Sequence, residues 1–293
     1  MTQHTASIRA LDADWPLHDR GVAFGDGVFE TLFVARGQLY AWPQHYARLS
    51  AGLSRLALPP ICEQWLLMEI RNCVFAQSKP EAEWIIKLIV SAGSSRQGYR
   101  RDQHSLLSVR LWAKPAPVMH VAPLEVGLAK LPLGGWQFGA GLKTLNRLEQ
   151  VMAAERGCGR QDDCLQTDPD GFITGATSSN FFWREGGRWF TPPITQAGIT
   201  GTRRALWIEQ LTANIQPLRH GRLAAVEQAF LSNAVNACRP IGWLQGRALQ
   251  SVAIPAAVKL ESHGAGYQFA QPVVDLAAVT ANHRLTQQDE TPA

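Results

Sequence analysis

The chain has 293 residues, 46% of them hydrophobic and 18% charged, with a formal net charge of +4. That length fits one large or two moderate domains, and the balance suits a soluble protein with a sizeable core. No block of Lys or Arg marks a nucleic-acid face, no apolar run reaches a membrane span, and the opening MTQHTASIRALDADW has no apolar stretch of the signal-peptide kind.

In chain order, VFETLFVA (28–35) and QLYA (38–41) predict two strands joined by a turn at Arg36-Gly37. Pro43 opens a helix, because proline suits a first turn. Tyr46, Leu49, Leu53 and Leu56 recur at three- and four-residue steps and give it one apolar face. A second helix is expected over 62–77, then strands at WIIKLIVSAG (84–93) and SLLSVRLWA (105–113). KPAPVMHVAP (114–123) holds three prolines, which stiffen the chain and oppose regular pairing. It is the expected linker between a smaller N-terminal α/β domain, 1–113, and a larger domain, 124–279.

Beyond it, LEVGLAK (124–130) reads as a strand and TLNRLEQVMAAERG (144–157) as a helix stopped by Gly157. Short strands follow near 164–168, 171–174, 179–184 and 188–191, with Asp168 and Asp170 in the turn before Gly171. GTRRALWIEQLTA (201–213) reads as a helix, EQAFLSNAV (227–235) as a strand entering a turn, and VAIPAAVKLESHG (252–264) as a late helix. Residues 280–293 form a polar tail. The fold class is therefore mixed α/β (α+β) in two parts, and the cleft between such parts is a common ligand site.

The five cysteines (62, 73, 158, 164 and 238) are odd in number and make no C-x-x-C pair, so they read as reduced, mostly buried thiols. The eight histidines make no closely spaced pair, and no metal is expected. The stretch GAGLKTLNRLEQV (139–151) sets Lys143 between a Gly-rich entry and an amphipathic run. It is not a phosphate loop, because Leu142 separates Gly141 from the lysine. A surface lysine at a helix start and a lysine with covalent chemistry remain. Gly25 and Gly27 in FGDGVFET are tight-turn glycines, since G-x-G alone is too weak for a dinucleotide fingerprint.

HDRGVAFGDGVFET, HYARL, GLKTLNRLEQV, DGFITGATSSNFFW, AGITGTRR and LSNAV stand in one order along the chain. That order resembles the fold-type IV pyridoxal-phosphate enzymes: branched-chain aminotransferases, D-amino-acid aminotransferases and 4-amino-4-deoxychorismate lyases. The likeness runs from about residue 15 to about 260, and GDGVFET with K-x-L-N-R-L-E-Q-V looks most like the lyase branch.

The resemblance implies a two-domain, D-amino-acid aminotransferase-like architecture, pyridoxal 5'-phosphate as cofactor, a small-molecule substrate, a homodimer and a cytoplasmic location. Lys143 would bond covalently to the cofactor, and a lysine in a dry site near other cations loses its proton more readily. Arg48 would grip the phosphate, with backbone N–H groups of Thr202 and Arg203 at a helix N-terminus and a second turn at Asn233 and Ala234. Thr31 would offer a hydroxyl in the substrate pocket, and Asn146 and Arg147 would surround the lysine. The implied reaction converts 4-amino-4-deoxychorismate to 4-aminobenzoate and pyruvate, a step toward folate.

Two departures stand out. The family Glu that pairs with the cofactor's pyridine nitrogen is replaced by Gly175. A lyase is better placed than a transaminase to work without it, because its product is aromatic. The second departure is SAGSSRQGY (91–99), where lyases of this kind usually carry Arg at the Ala92 position and R-G-Y at Gln97-Gly98-Tyr99. Arg96, one residue displaced, and Tyr99 are the expected substrate contacts, with Arg100 as a substitute.

Overall fold

The structure, a computed structural model, describes residues 7–10, 15–95, 98–102, 106–118, 122–255, 258–263, 266–270 and 272–280. The N-terminal elements are β1 (Ser7–Ala10), α1 (Arg20–Phe24), β2 (Gly27–Ala35), β3 (Gln38–Tyr40), α2 (Trp42–Arg55), α3 (Glu63–Phe75), β4 (Glu83–Ser91) and β5 (Ser108–Pro115). Arg36 and Gly37 have φ of 52° and 74°, the pair of left-handed residues that a two-residue hairpin turn demands. Val28, Leu32 and Val34 alternate along β2, and with Ile86, Leu88 and Val90 of β4 they pack against Leu49 and Leu53 of α2 and Leu66 and Ile70 of α3. Glu30 falls in the same phase as that apolar set and is 1% exposed.

Next come β6 (Leu124–Leu128), α4 (Leu148–Gly157), β7 (Asp163–Thr167), β8 (Ile173–Ala176), β9 (Asn180–Glu185), β10 (Arg188–Thr191), α5 (Thr202–Leu211), β11 (Asn214–Ile215) and β12 (Gln228–Ser232). β13 (Arg239–Leu244), β14 (Arg247–Ala248), β15 (Leu260–His263), β16 (Gly266–Phe269) and β17 (Val273–Asp275) complete the set. The first sheet has the order β1-β5-β4-β2-β3-β17, so the chain returns to it with its last described strand. The second runs β11-β10-β9-β12-β13-β6-β7-β8, with β14 attached to β13. Both faces of its centre are covered. Phe181 and Trp183 point into one core, while Phe182 stacks on Phe230 and packs beneath Trp207 of α5. Among the described residues no helix is long and apolar enough to cross a membrane.

Several expectations are corrected. The helix expected over 144–157 begins only at Leu148. Residues 144–146 are held by the turn before β2 instead: Leu145 N–H donates to Gly27 O at 3.0 Å and Asn146 Nδ2 to Gly25 O at 2.9 Å. The described part of 252–264 contains no helix. Pro255 cannot donate, Val258 N–H closes a turn onto its carbonyl, and Leu260–His263 pairs with β16 as a strand. Sheet pairing runs past Ala113 through Lys114 and Pro115, a strand end where a missing donor is tolerated. Cys158 and Cys164 are not free thiols: the turn between α4 and β7 brings their Cα atoms to 5.3 Å and the pair is bonded. Cys238 is buried and Cys73 half-buried, but Cys62 is exposed. The expected tail from 281 lies outside the described residues.

Candidate active site

Lys143 lies in an extended segment stitched to both halves of the molecule. Phe29 N–H donates to its carbonyl at 2.8 Å, and Thr200 N–H donates to Gly141 O at 3.0 Å. The segment borders a cavity of about 360 Å³, a size that suits a small cofactor or substrate. Thr31, Arg48, Lys143, Thr202, Asn233 and Ala234 all line it, so the structure brings these six predicted residues together. Arg147, expected beside the lysine, lines it too, with Nε and Nη2 bound to the carbonyl and hydroxyl of Thr144.

Burial around the Lys143 amine, reinforced by the positive charge of Arg48, brings its pKa down to about 7; Glu30 opposes this, while Lys87 and Arg147 add to it. The Lys143 and Lys87 amines lie 4.3 and 3.4 Å from the centroid of the Phe29 ring. Lys87, directly across β2–β4 from Thr31, is lowered to about 8, chiefly by burial. Near neutral pH a substantial fraction of Lys143 is thus neutral, while Lys87 stays mostly charged.

Arg48 is fixed from behind. Its Nε donates to Glu30 Oε1 at 2.8 Å and its Nη1 to Thr200 O at 3.0 Å. His45, one helical turn away, sets Nδ1 2.7 Å from Glu30 Oε2 and Nε2 3.4 Å from Thr202 Oγ1. Burial alone would raise the Glu30 carboxyl; the charge and hydrogen bonds of Arg48, then of His45, overcome it and hold the pKa at about 2. Burial outweighs Glu30 at His45 and lowers it to about 4, so the imidazole is neutral at pH 7. Sequence reading missed Glu30, His45 and Lys87. A carboxylate in the core phase of VFETLFVA, and His45 and Arg48 on one face of α2, were the available signals.

At the other end of the cavity, α5 starts at Thr202 with Gly201 as its N-cap, leaving backbone donors of the first turn free for an anion. A Cβ at 201 would meet Asn180 Oδ1 at 1.8 Å, so any other residue there has to displace the Asn180 side chain. The Arg203 side chain points to Gln268 Oε1 at 2.8 Å and to Ala234 O, and Arg203 is not among the residues that line the cavity. Asn233 Oδ1 accepts from Val235 N–H and Asn236 N–H at 3.0 Å, which shapes the turn carrying Ala234.

The β7–β8 wall holds Gly175 in a left-handed conformation, φ 154°, with Ser179 O 2.9 Å from the position of a Cβ. A side chain here is strained whatever its chemistry. Gly175→Glu is therefore expected to lower stability by about 1–3 kcal/mol without raising turnover; a melt unchanged from the parent protein contradicts this. Arg96 lies outside the described residues. Tyr99 is 90% exposed and away from the cavity, its ring 5.4 Å from Phe24, while the carbonyls of Gly98, Tyr99 and Arg100 accept from Arg20. Asp168 Oδ1 accepts from the N–H groups of Asp170 and Phe172 and so forms the expected turn before Gly171.

The α+β fold thus sets a half-buried lysine of lowered pKa in a cavity shared with Arg48 and the start of α5. The class IV amino-transferase family model matches residues 27–242, and the chain belongs to that family, whose members depend on pyridoxal 5'-phosphate and share the fold-type IV architecture. Aminodeoxychorismate lyase of Vibrio harveyi is 28% identical over 201 residues, covering 67% of this chain and 73% of that protein. The crystal structure of 4-amino-4-deoxychorismate lyase from Pseudomonas aeruginosa is similar with a TM-score of 0.75 at 28% identity, over 82% of this chain and 91% of that one. D-alanine aminotransferase of Bacillus licheniformis is 21% identical over 244 residues, 80% of this chain and 84% of that protein.

Proposed function

We propose that this protein is a pyridoxal 5'-phosphate-dependent 4-amino-4-deoxychorismate lyase, a carbon–oxygen lyase that releases pyruvate and leaves 4-aminobenzoate for folate synthesis. The observation that carries the reading is Lys143: an amine lowered to about 7 inside a cavity lined by Arg48 and the start of α5. The cofactor fits this cavity. Arg48 with the N–H groups of Thr202 and Arg203 suits a phosphate, the turn at Asn233 and Ala234 flanks it, and the buried Ser232 Oγ and Gln166 Nε2 have no partner among the described residues. When bound, the cofactor supplies an electron sink.

The protein's own groups do the rest. Neutral Lys143 accepts the proton from the ring carbon that bears nitrogen. The bond from the substrate ring to the enolpyruvyl oxygen breaks, the ring becomes aromatic, and the leaving group takes a proton to become pyruvate. Lys143 returns that proton, with the Thr31 hydroxyl beside it as the alternative donor. Arg147 and Lys87 supply positive charge for the substrate's carboxylates. The reading includes a homodimer, as the family resemblance implies; light scattering gives its mass.

The experiment loads the protein with pyridoxal 5'-phosphate, adds 4-amino-4-deoxychorismate and follows both products, with Lys143→Ala as control. Equal release of 4-aminobenzoate and pyruvate, absent in the control, is expected. A transaminase of D-amino acids, branched-chain amino acids or amines is the second reading, favoured by the likeness to D-alanine aminotransferase over 80% of the chain. It takes over if neither product appears but an amino donor changes the cofactor spectrum and a keto acid reverses the change. A ligand-binding homologue without catalysis is left if Lys143 forms no adduct with the cofactor.

A further inference from the structure

β7 and β8 place an unmatched donor at the cavity. Gln166 is 2% exposed, lines the cavity, and its Nε2 has no hydrogen-bond partner among the described residues. Buried amide donors are almost always paired, because leaving one unmatched forfeits its hydration without return, so its partner is to be sought in what the cavity binds. Register narrows the choice. Gln166 stands directly opposite Gly175 in the antiparallel pair, and residues so placed share one face of a sheet. Gly175 offers no side chain and tolerates none, which leaves that face to the glutamine amide. Thr174 Oγ1 donates to the Gln166 carbonyl at 3.2 Å and steadies its backbone. Gln166 belongs neither to the lysine segment nor to the phosphate cradle.

Charge narrows the choice further. Arg48, Lys143 and Arg147 line the cavity, and no Asp or Glu does so among the described residues. Glu30, behind the lining, is already taken by Arg48 and His45. A basic ring nitrogen in this setting has no carboxylate to stabilise its protonated form, while the guanidinium groups of Arg48 and Arg147 oppose it. A neutral amide N–H donor suits the lone pair of an unprotonated nitrogen.

We propose that Gln166 donates through Nε2 to the ring nitrogen of the bound cofactor and holds that nitrogen unprotonated, an inference that rests on the cofactor reading above. The weaker electron sink that results suits a reaction driven by formation of an aromatic product.

The test is nitrogen NMR of the protein loaded with ring-labelled pyridoxal 5'-phosphate, alongside Gln166→Leu and Gln166→Glu. Borohydride reduction and the mass of the Lys143 peptide report loading, and circular dichroism reports folding. The parent protein is expected to resonate as a hydrogen-bonded, unprotonated pyridine. Gln166→Leu moves the signal downfield toward a free pyridine, and Gln166→Glu moves it far upfield to a pyridinium. A pyridinium signal in the parent protein overturns the proposal while leaving the cofactor reading intact, as does a Gln166→Leu signal that does not move. If Gln166→Leu fails to load, Gln166→Glu decides, and no upfield move overturns the proposal. Absence of any Lys143 adduct in the parent protein removes the cofactor reading and this inference with it.

Discussion

Lys143→Met is expected to fold, to form no borohydride-stable adduct with pyridoxal 5'-phosphate, and to release no 4-aminobenzoate. Proton transfer by a placed side chain is typically worth about 10²–10⁴ in rate, and the loss here is larger because the same amine also anchors the cofactor. Stability moves the other way. The native pKa is down at about 7 against 10.5 for a free lysine, so the unfolded chain binds more protons throughout that window. The cofactor-free parent protein is therefore penalised in full below pH 7 and gains stability as the pH rises toward 10.5. Methionine removes the penalty. Denaturant melts of the two apoproteins should differ by on the order of 2–4 kcal/mol at pH 6, with the variant more stable, and converge near pH 10. Equal midpoints at pH 6 contradict a strained amine at this site.

Glu30→Ala has the second large effect. It strands two groups together: Arg48 loses two hydrogen bonds from Nε and Nη2, and His45 Nδ1 loses its bond to Glu30 Oε2. Removing one member of a buried ionic cluster costs about 3–5 kcal/mol. Glu30 has a depressed pKa, so its contribution is complete above 4.5 and declines as the pH falls through about 2. The gap between the two proteins in urea should accordingly be wide at pH 7 and narrow toward pH 2. Glu30→Gln, which keeps the shape, isolates a second consequence. Glu30 holds the Lys143 pKa up, so its neutralisation shifts the ascending limb of the lyase pH profile to lower pH. A limb that stays in place, or moves alkaline, disproves the electrostatic link.

Much of the fold was legible because its signals are local. The 28–41 hairpin, α2 behind Pro43 and the short strands from 163 to 191 follow from alternation, turn residues and three-four spacing. The failures come from contacts that composition and periodicity do not carry. Residues 144–147 have helical composition, but Gly25 and Gly27 accept their donors first. The bond between Cys158 and Cys164 has no motif; it exists because a turn folds β7 back beside the end of α4. Within the site, the residues that line the cavity were the readable ones, since motif order points to them. Gln166 was invisible, because DCLQT carries no pattern and only pairing across to Gly175 gives that side chain meaning.

The return of β17 to β3 sets a schedule for synthesis. Val273–Asp275 covers the outer edge of a sheet whose other strands come from the first 115 residues, and Leu276 buries itself in the core of that sheet. On the ribosome, the sheet therefore waits with an open edge while more than half of the chain is still being made. An uncovered strand is a template for the wrong neighbour. β3 is only three residues long, so this waiting edge offers little backbone to a stray partner. The last strand to emerge acts as a latch on the first part of the molecule to form.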